Sequence, residues 1–385
     1  MPNDDAARRQ LEGVGLVTLT LVGWSSIPLF LRYFAPHIDG WTANGWRYGA
    51  AALFWLPVLL IVGARGALPA GLFAAALVPA TINAAGQVCF TWAHYLLDPG
   101  LLTFSLRSHI VFVTIGAALL FPAERLIVRR PLFIVGVSMV VVGTLATIAL
   151  TPQDHASTAS TASGYLASQP RLALALGVGL AVLAGAFFAG YALSVRRYMA
   201  GVNSILAFAA ISQLTAAAML ALMLTLGHDH GLAALPTAWH DAGALTPFRF
   251  AMLLLSALIG IAFGHVGYYM SINRLGVAVS SGVIQLQPFC VTLVSMAIFG
   301  ELLTGGQWVG GTIAVAGAGA MLYTQHRAQR GRHADPMDEF DDLPPDHVAA
   351  AASVEADNTQ PHDPQPDNHT PGNNQPGPAR QDARP

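Results

Sequence analysis

Charge is what this 385-residue sequence has least of: Asp, Glu, Lys and Arg make up 10% of it, against about 25% in an ordinary soluble domain. That deficit removes most of the surface a water-soluble fold would need. Lysine is absent, so all 19 basic residues are arginine. A net charge of −2 is too small to point to nucleic acid or to an acidic partner. The only cysteines, Cys89 and Cys290, sit in apolar runs. They suit small buried hydrophobes better than a disulfide framework. The chain has no HExxH, no Walker A loop and no CxxC, and its apolar runs hold no paired carboxylates, so it lacks the groups of most metalloenzymes, ATP-driven pumps and redox proteins. No catalytic residue, metal site or cofactor is expected.

What is present is apolar length. Hydrophobic residues are 54% of the chain and mean hydropathy is +0.52. Ten apolar stretches occupy approximately 13–31, 42–62, 72–95, 100–121, 131–150, 172–193, 203–226, 250–272, 277–299 and 306–324. Each is close to the span of a bilayer. Inside lipid a chain must satisfy its own backbone, and period-2 alternation is missing, so helices are expected rather than a barrel. The first stretch follows Arg8 and Arg9 and has no small-residue cleavage pattern after it, which marks an uncleaved first span rather than a signal peptide. With the N-terminus inside, the inner connections collect Arg8, Arg9, Arg65, Arg125, Arg129, Arg130, Arg196, Arg197, Arg274, Arg327, Arg330 and Arg332. The outer ones collect only Arg32, Arg171 and Arg249. This bias places both termini in the cytoplasm. The expected plan is a short N-terminus (1–12), a five-helix unit (13–150), a small-residue linker (151–171), a second five-helix unit (172–324) and a disordered Pro/Asp/Asn/Gln-rich tail (325–385).

The two halves echo one another. Phe121-Pro122-Ala123-Glu124 closes the fourth stretch and Phe299-Gly300-Glu301 closes the ninth. Gly100 and Gly276 open those same stretches. The stretch after each carries two glycines seven residues apart, Gly136 and Gly143, then Gly310 and Gly317. Five helices per half is an odd number, so the second half must lie inverted, as in many secondary transporters. Trp24-Ser25-Ser26-Ile27-Pro28, Trp46-Arg47-Tyr48, Gln287-Pro288-Phe289 and Phe299-Gly300-Glu301-Leu302, in this order and spacing, resemble the EamA family of the drug/metabolite transporter (DMT) superfamily. The resemblance covers roughly 13–324. It implies ten helices in two inverted repeats, in the inner membrane of a bacterium. The implied activity is movement of small metabolites or drugs by alternating access, with export as the expected direction. The first half has Ser108-His109-Ile110 where the second has Leu286-Gln287-Pro288.

Polar residues inside the apolar stretches mark the candidate site, because a polar group facing lipid is costly. Asn83, Gln87, Thr91 and His94 share one helical face; His265, Tyr269 and Asn273 share another; Ser281, Gln285, Pro288, Thr292 and Ser295 form a third. Substrate-binding candidates are Asn83, Gln87, His94, Arg107, His109, His265, Tyr269, Gln285 and Gln287, with Pro288 as a structural kink that frees a carbonyl near Ile284. The bland alternative is that such groups bond across helices, at about 0.6 kcal/mol each. Trp24, Tyr48, Trp92, Tyr191 and Tyr269 could stack on substrate. Arg47 is expected to snorkel outward, whereas Arg107, beside Ser108 and His109, is the better inward cation. Two inward arginines would favour an anionic substrate. No Asp or Glu lies inside a stretch, so any proton coupling would fall to His94, His109 or His265. Partners are then a small-molecule substrate, the lipid bilayer and a second copy in a homodimer. The competing classes are a membrane scaffold or sensor and an integral membrane enzyme. The latter would require the three histidines to converge on a metal.

Overall fold

The computed structural model describes residues 2–120, 125–126, 128–150, 168–227, 245–275 and 277–332. The expectations for the linker up to 167, for Phe121-Pro122-Ala123-Glu124, for the opening glycine Gly276, for the side chains of Asn273 and Ser281 and for the tail from 333 onward lie outside these residues. Among the described residues there are helices and no strands. In chain order they are α1 (Pro2–Phe34), α2 (Gly40–Ala64), α3 (Leu72–His94), α4 (Pro99–Ser105), α5 (His109–Leu120), α6 (Pro131–Ala149), α7 (Pro170–Tyr198), α8 (Ser204–Leu226), α9 (Pro247–Ala257), α10 (Gly264–Leu275), α11 (Val277–Ile284), α12 (Gln287–Phe299) and α13 (Gly305–Arg332).

Among the described residues, eight segments are long and apolar enough to cross a bilayer: Gln10–Phe34, Gly40–Ala64, Leu72–His94, Pro99–Leu120, Pro170–Tyr198, Ser204–Leu226, Pro247–Ser271 and Gly282–Phe299. The fifth expected stretch forms the shorter apolar helix α6. The tenth forms α13, whose glycines and polar residues dilute its hydropathy. That helix continues through Arg332, past the point where the tail was expected to begin, because the Ala, Gln and Arg residues there favour a helix.

Local chemistry sets the boundaries. Asp39 caps α2, its Oδ1 accepting from Trp41 N at 2.9 Å and Thr42 N at 3.0 Å. Asn203 caps α8 in the same way. Proline opens α4, α7, α9 and α12, where its missing N–H costs nothing. Three expected single helices are interrupted, the eighth stretch at Leu258–Phe263, between α9 and α10. The fourth passes through a 3₁₀ turn at Leu106–Ser108, and the ninth breaks at Gln285-Leu286, immediately ahead of Pro288.

The helices of the first half pack on those of the second. α2 lies along α8, α3 along α7, α1 along α10, and α4 against α12. The glycine pairs explain a further contact, between α6 and α13. A Cβ placed on Gly143 would lie 2.5 Å from Gly310 O, and one on Gly310 would lie 2.8 Å from Gly143 O. Gly136 and Gly317 face each other with the same reciprocity, at 2.8 and 2.6 Å. Only glycine allows two backbones this close. Elsewhere the interior is built on alanine: Ala51, Ala76, Ala93, Ala181, Ala184, Ala209, Ala210 and Ala257 are all fully buried. The large aliphatics often point outward instead. Leu19, Leu53, Leu60, Leu119, Leu145, Leu293 and Ile298 are all more than half exposed, an apolar exterior suited to lipid and not to water.

Candidate substrate cavity

Two prolines prepare the centre of the molecule. Proline has no N–H and so releases the carbonyl four residues before it. Pro28 lies inside α1 and leaves Trp24 O without its helical donor; Pro288 does the same for Ile284 O. Both carbonyls are taken up by one network. Gln287 Nε2 donates to Trp24 O at 2.9 Å. Arg107 Nη1 donates to Ile284 O at 3.4 Å and to Gln285 Oε1 at 3.2 Å. Arg107 Nη2 donates to Gln287 Oε1 at 3.0 Å, and its Nε to Thr103 O at 3.2 Å. Arg107 is 8% exposed, and among the described residues the acceptors of these bonds are neutral.

This network forms one wall of a cavity of about 290 Å³. Its polar lining is Arg47, Gln87, Arg107, His109, His265, Gln285 and Gln287; its aromatic lining is Trp24, Tyr48, Phe90, Phe188, Tyr191, Tyr268 and Tyr269. Among the described residues no Asp or Glu lines it. Arg47, expected to snorkel, turns inward and is only 1% exposed. Its Nε donates to Ser256 Oγ at 3.1 Å, while its buried Nη1 has no hydrogen-bond partner. The outward expectation fails because α2 is flanked by α8 and α9, and Ser256 on α9 offers the head group an acceptor.

A second part of the lining is a distorted helix. Between α9 and α10, residues Leu258–Phe263 form a π-helical turn, a feature that recurs at functional sites. Trp24 Nε1 donates to Gly260 O at 3.2 Å, and the Trp24 ring packs on His265 (5.4 Å between centroids) and Tyr268 (5.1 Å). A Cβ on Gly264 would fall 2.4 Å from Trp24 Nε1, so the indole occupies space that any larger residue would take.

Of the sequence-derived candidates, the structure brings Gln87, Arg107, His109, His265, Tyr269, Gln285 and Gln287 to the cavity. It does not bring Asn83 or His94. Asn83 Nδ2 donates to Thr215 Oγ1 at 3.3 Å, and the His94 ring Nδ1 pairs with Phe90 O at 2.8 Å. Thr91 likewise bonds across helices, to Asn44 Oδ1 at 2.9 Å. The α3 stripe therefore turns mainly to its neighbours, with only Gln87 reaching the cavity. The three histidines do not gather, and among the described residues no group of three or more His, Cys, Asp or Glu could hold a metal. Arg47 and Tyr268 were missed as site residues. For Arg47 no sequence signal separates an inward from an outward arginine near a helix end. The acceptor role of Trp24 O was legible from Pro28, four residues on.

Gln285 and Gln287 lie in a stretch whose family is recognisable. Residues 175–323 match the EamA-like transporter family. The match covers less than half of the chain; together with the eight helices among the described residues that are long and apolar enough to cross a bilayer, it supports a multi-pass membrane protein. The EamA-like segment spans α7 through most of α13, so it supplies His265, Tyr269, Gln285 and Gln287, while Arg47, Gln87, Arg107 and His109 come from the half before it. No curated protein matches the chain. A solved crystal structure of a protein 15% identical to it is similar in fold, with a TM-score of 0.50, covering 84% of this chain and 98% of its own.

Proposed function

We propose that this chain is a secondary transporter, not an enzyme, that moves small anionic metabolites across the bacterial inner membrane by alternating access. The observation that carries this reading is the cavity's charge. Arg47 and Arg107 line it with no acid among the lining residues, and one buried donor of Arg47 has no partner. A buried cation without a counter-charge costs several kcal/mol. An anionic ligand would supply that charge, through charge-assisted bonds to guanidinium. The aromatic walls would hold its apolar body.

The ten-span, inverted-repeat plan is part of the same reading, with α4–α5, α9–α10 and α11–α12 each counted as one span. Exchanging the halves turns the α3–α7 contact into the α1–α10 contact, and leaves α2–α8, α4–α12 and α6–α13 as they are. The observed packing has this pattern, which supports a two-fold relation between the halves. Orientation with both termini cytoplasmic rests on the arginine distribution. Export as the direction rests on the family resemblance.

The test is counterflow and net flux in proteoliposomes, with a labelled panel of carboxylates, amino acids and organic cations. Saturable flux of an acid, lost in folded Arg107→Ala and not restored in Arg107→Lys, is the expected result. Lysine lacks the fork that reaches Ile284 O, Gln285 and Gln287 together. Flux of cations alone would overturn the anion site. No flux of any compound would turn the reading toward a membrane scaffold or sensor.

A further inference from the structure

The cavity is not closed equally at its two ends. A smaller cavity of about 80 Å³ shares Tyr191 and Tyr269 with the main one and extends to Met199, Val202 and Ser204. It thus runs toward the α7–α8 connection that follows Arg196 and Arg197. At the other end, contacts between side chains tie the helices to one another. Arg32 on α1 lies five residues beyond the cavity residue Ile27, about 7.5 Å along the helix. Its Nε donates to Glu301 Oε1 at 2.5 Å, and Ser295 Oγ holds the other carboxylate oxygen at 2.7 Å. The pair ties the end of α1 to the end of α12. Tyr95 OH donates to Ile38 O, which ties α3 to the α1–α2 connection.

A third titratable group lies near the Arg32–Glu301 pair: Asp98 precedes α4, which packs on α12, and a Cβ on Gly100, two residues on, would lie 2.5 Å from Thr292 Oγ1 and 3.4 Å from Leu303 Cδ1, on either side of Glu301 in the chain. Asp98 occupies the N-cap position of α4 but caps nothing with its side chain. Its buried Oδ1 has no hydrogen-bond partner, and neither has the buried Nη1 of Arg32. The charged groups that act on Asp98 are Glu301 and Arg32. Of the other groups packed here, Arg171 at the start of α7 is exposed, Arg249 on α9 donates to Tyr33 OH at 3.1 Å and Tyr95 is bonded to Ile38 O; His94 pairs with Phe90 O through Nδ1 but its buried Nε2 has no partner, so His94→Asn is a control for the lock.

We propose that Arg32, Glu301 and Asp98 form a pH-sensitive outer lock, closed when Asp98 carries a proton and loosened when it is ionised. The chemistry is a competition. An ionised Asp98 places a second carboxylate against a single guanidinium, in a site that holds only one counter-charge. Protonated, it leaves Arg32 to Glu301. The direction follows from linkage. Burial first, and the Glu301 carboxylate second, push the Asp98 carboxyl up to about 7, against the pull of Arg32. An opened lock would return it to its ordinary value of 3.8. Between those values the closed state holds the extra proton, so closure strengthens as the pH falls from 7 toward 4, loses that strength as the pH rises through 7, and is flat at its weakest above that. His37 at the same end is held below the usual histidine range by burial and by Arg249, so it belongs among the controls.

The inference rests on the alternating-access reading, and its test needs no substrate, so the two can fail separately. The full chain with Cys89→Ser and Cys290→Ser carries Gln87→Cys in the cavity. A membrane-impermeant maleimide is applied from the outer side between pH 5 and pH 8. Rates are divided by those of Arg171→Cys, an exposed reference, which removes the thiol's own pH dependence. The relative rate is expected to rise about tenfold or more from pH 5 to pH 8. Asp98→Asn should hold it low and flat, while Arg32→Ala and Glu301→Gln should hold it high and flat. Asp98→Glu should keep the slope, which separates titration from misfolding, and His37→Asn and His94→Asn should leave it unchanged. A slope that persists in folded Asp98→Asn, or a parent with no slope, overturns the proposal.

Discussion

The two places where this protein keeps charge inside its helices are built on opposite principles. At the Arg32 end, a guanidinium faces a carboxylate, and the side chains of both are 14% exposed. In the cavity, two guanidiniums face carbonyls, amides, a hydroxyl and aromatic rings, with no carboxylate among the lining residues. Charge neutralised by the chain itself joins elements and closes an end. Charge that neutral dipoles hold in place is preorganised but not cancelled, and so remains available to a ligand. The same residue type thus does two different jobs, and the partner decides which.

The sharpest way to break this contrast is to give the cavity its own anion. Gln287→Glu places a carboxylate against Arg107 Nη2, where the amide oxygen now sits at 3.0 Å. Anion flux in proteoliposomes should fall on the order of a hundredfold, with little loss of folded protein. Undiminished flux would mean that the cavity's charge is not what substrate senses. A smaller effect, on stability, comes from a site that carries no charge. Gly143→Leu forces a side chain into the Gly310 backbone and should cost about 2 kcal/mol, read as a lower midpoint of thermal inactivation in detergent. Arg47→Met removes the second cavity cation while keeping its bulk. It should weaken apparent affinity for the same anion about tenfold, read from the half-saturation of counterflow. The mildest change sharpens the boundary of the site. Asn83→Ala loses one interhelical bond to Thr215, at about 1 kcal/mol, and should leave half-saturation unchanged. A shift there would return Asn83 to the cavity.

Much of the site was legible because its signals are local. Pro288 announced a freed carbonyl by its position alone, and Arg107 stood out as an arginine with polar neighbours inside an apolar run. The glycines at spacing seven were visible too, but their partners were not, since nothing in one helix tells which backbone will approach it. The α3 stripe shows the limit most clearly. Helical spacing places Asn83, Gln87, Thr91 and His94 on one face, and α7 and α8 both pack against that helix. Which residue meets Thr215, which meets Asn44 and which meets open cavity depends on the neighbours' tilt. Asp98 read as a turn residue next to Pro99-Gly100, and only the arrival of Glu301 and Arg32 from distant parts of the chain makes it a charged group under tension.

By itself the sequence determined the solvent, the helical class and the chemical types available. Hydrophobic length and the scarcity of charge are sums over single residues and need no fold to be read. The fold alone decided which arginine meets a carboxylate and which meets neutral acceptors. That choice is an interaction between residues far apart in the chain: Arg32 with Glu301 across 269 positions, Arg107 with Gln287 across 180. Coulomb and hydrogen-bond energies depend on distance in space, and distance in space is what packing sets.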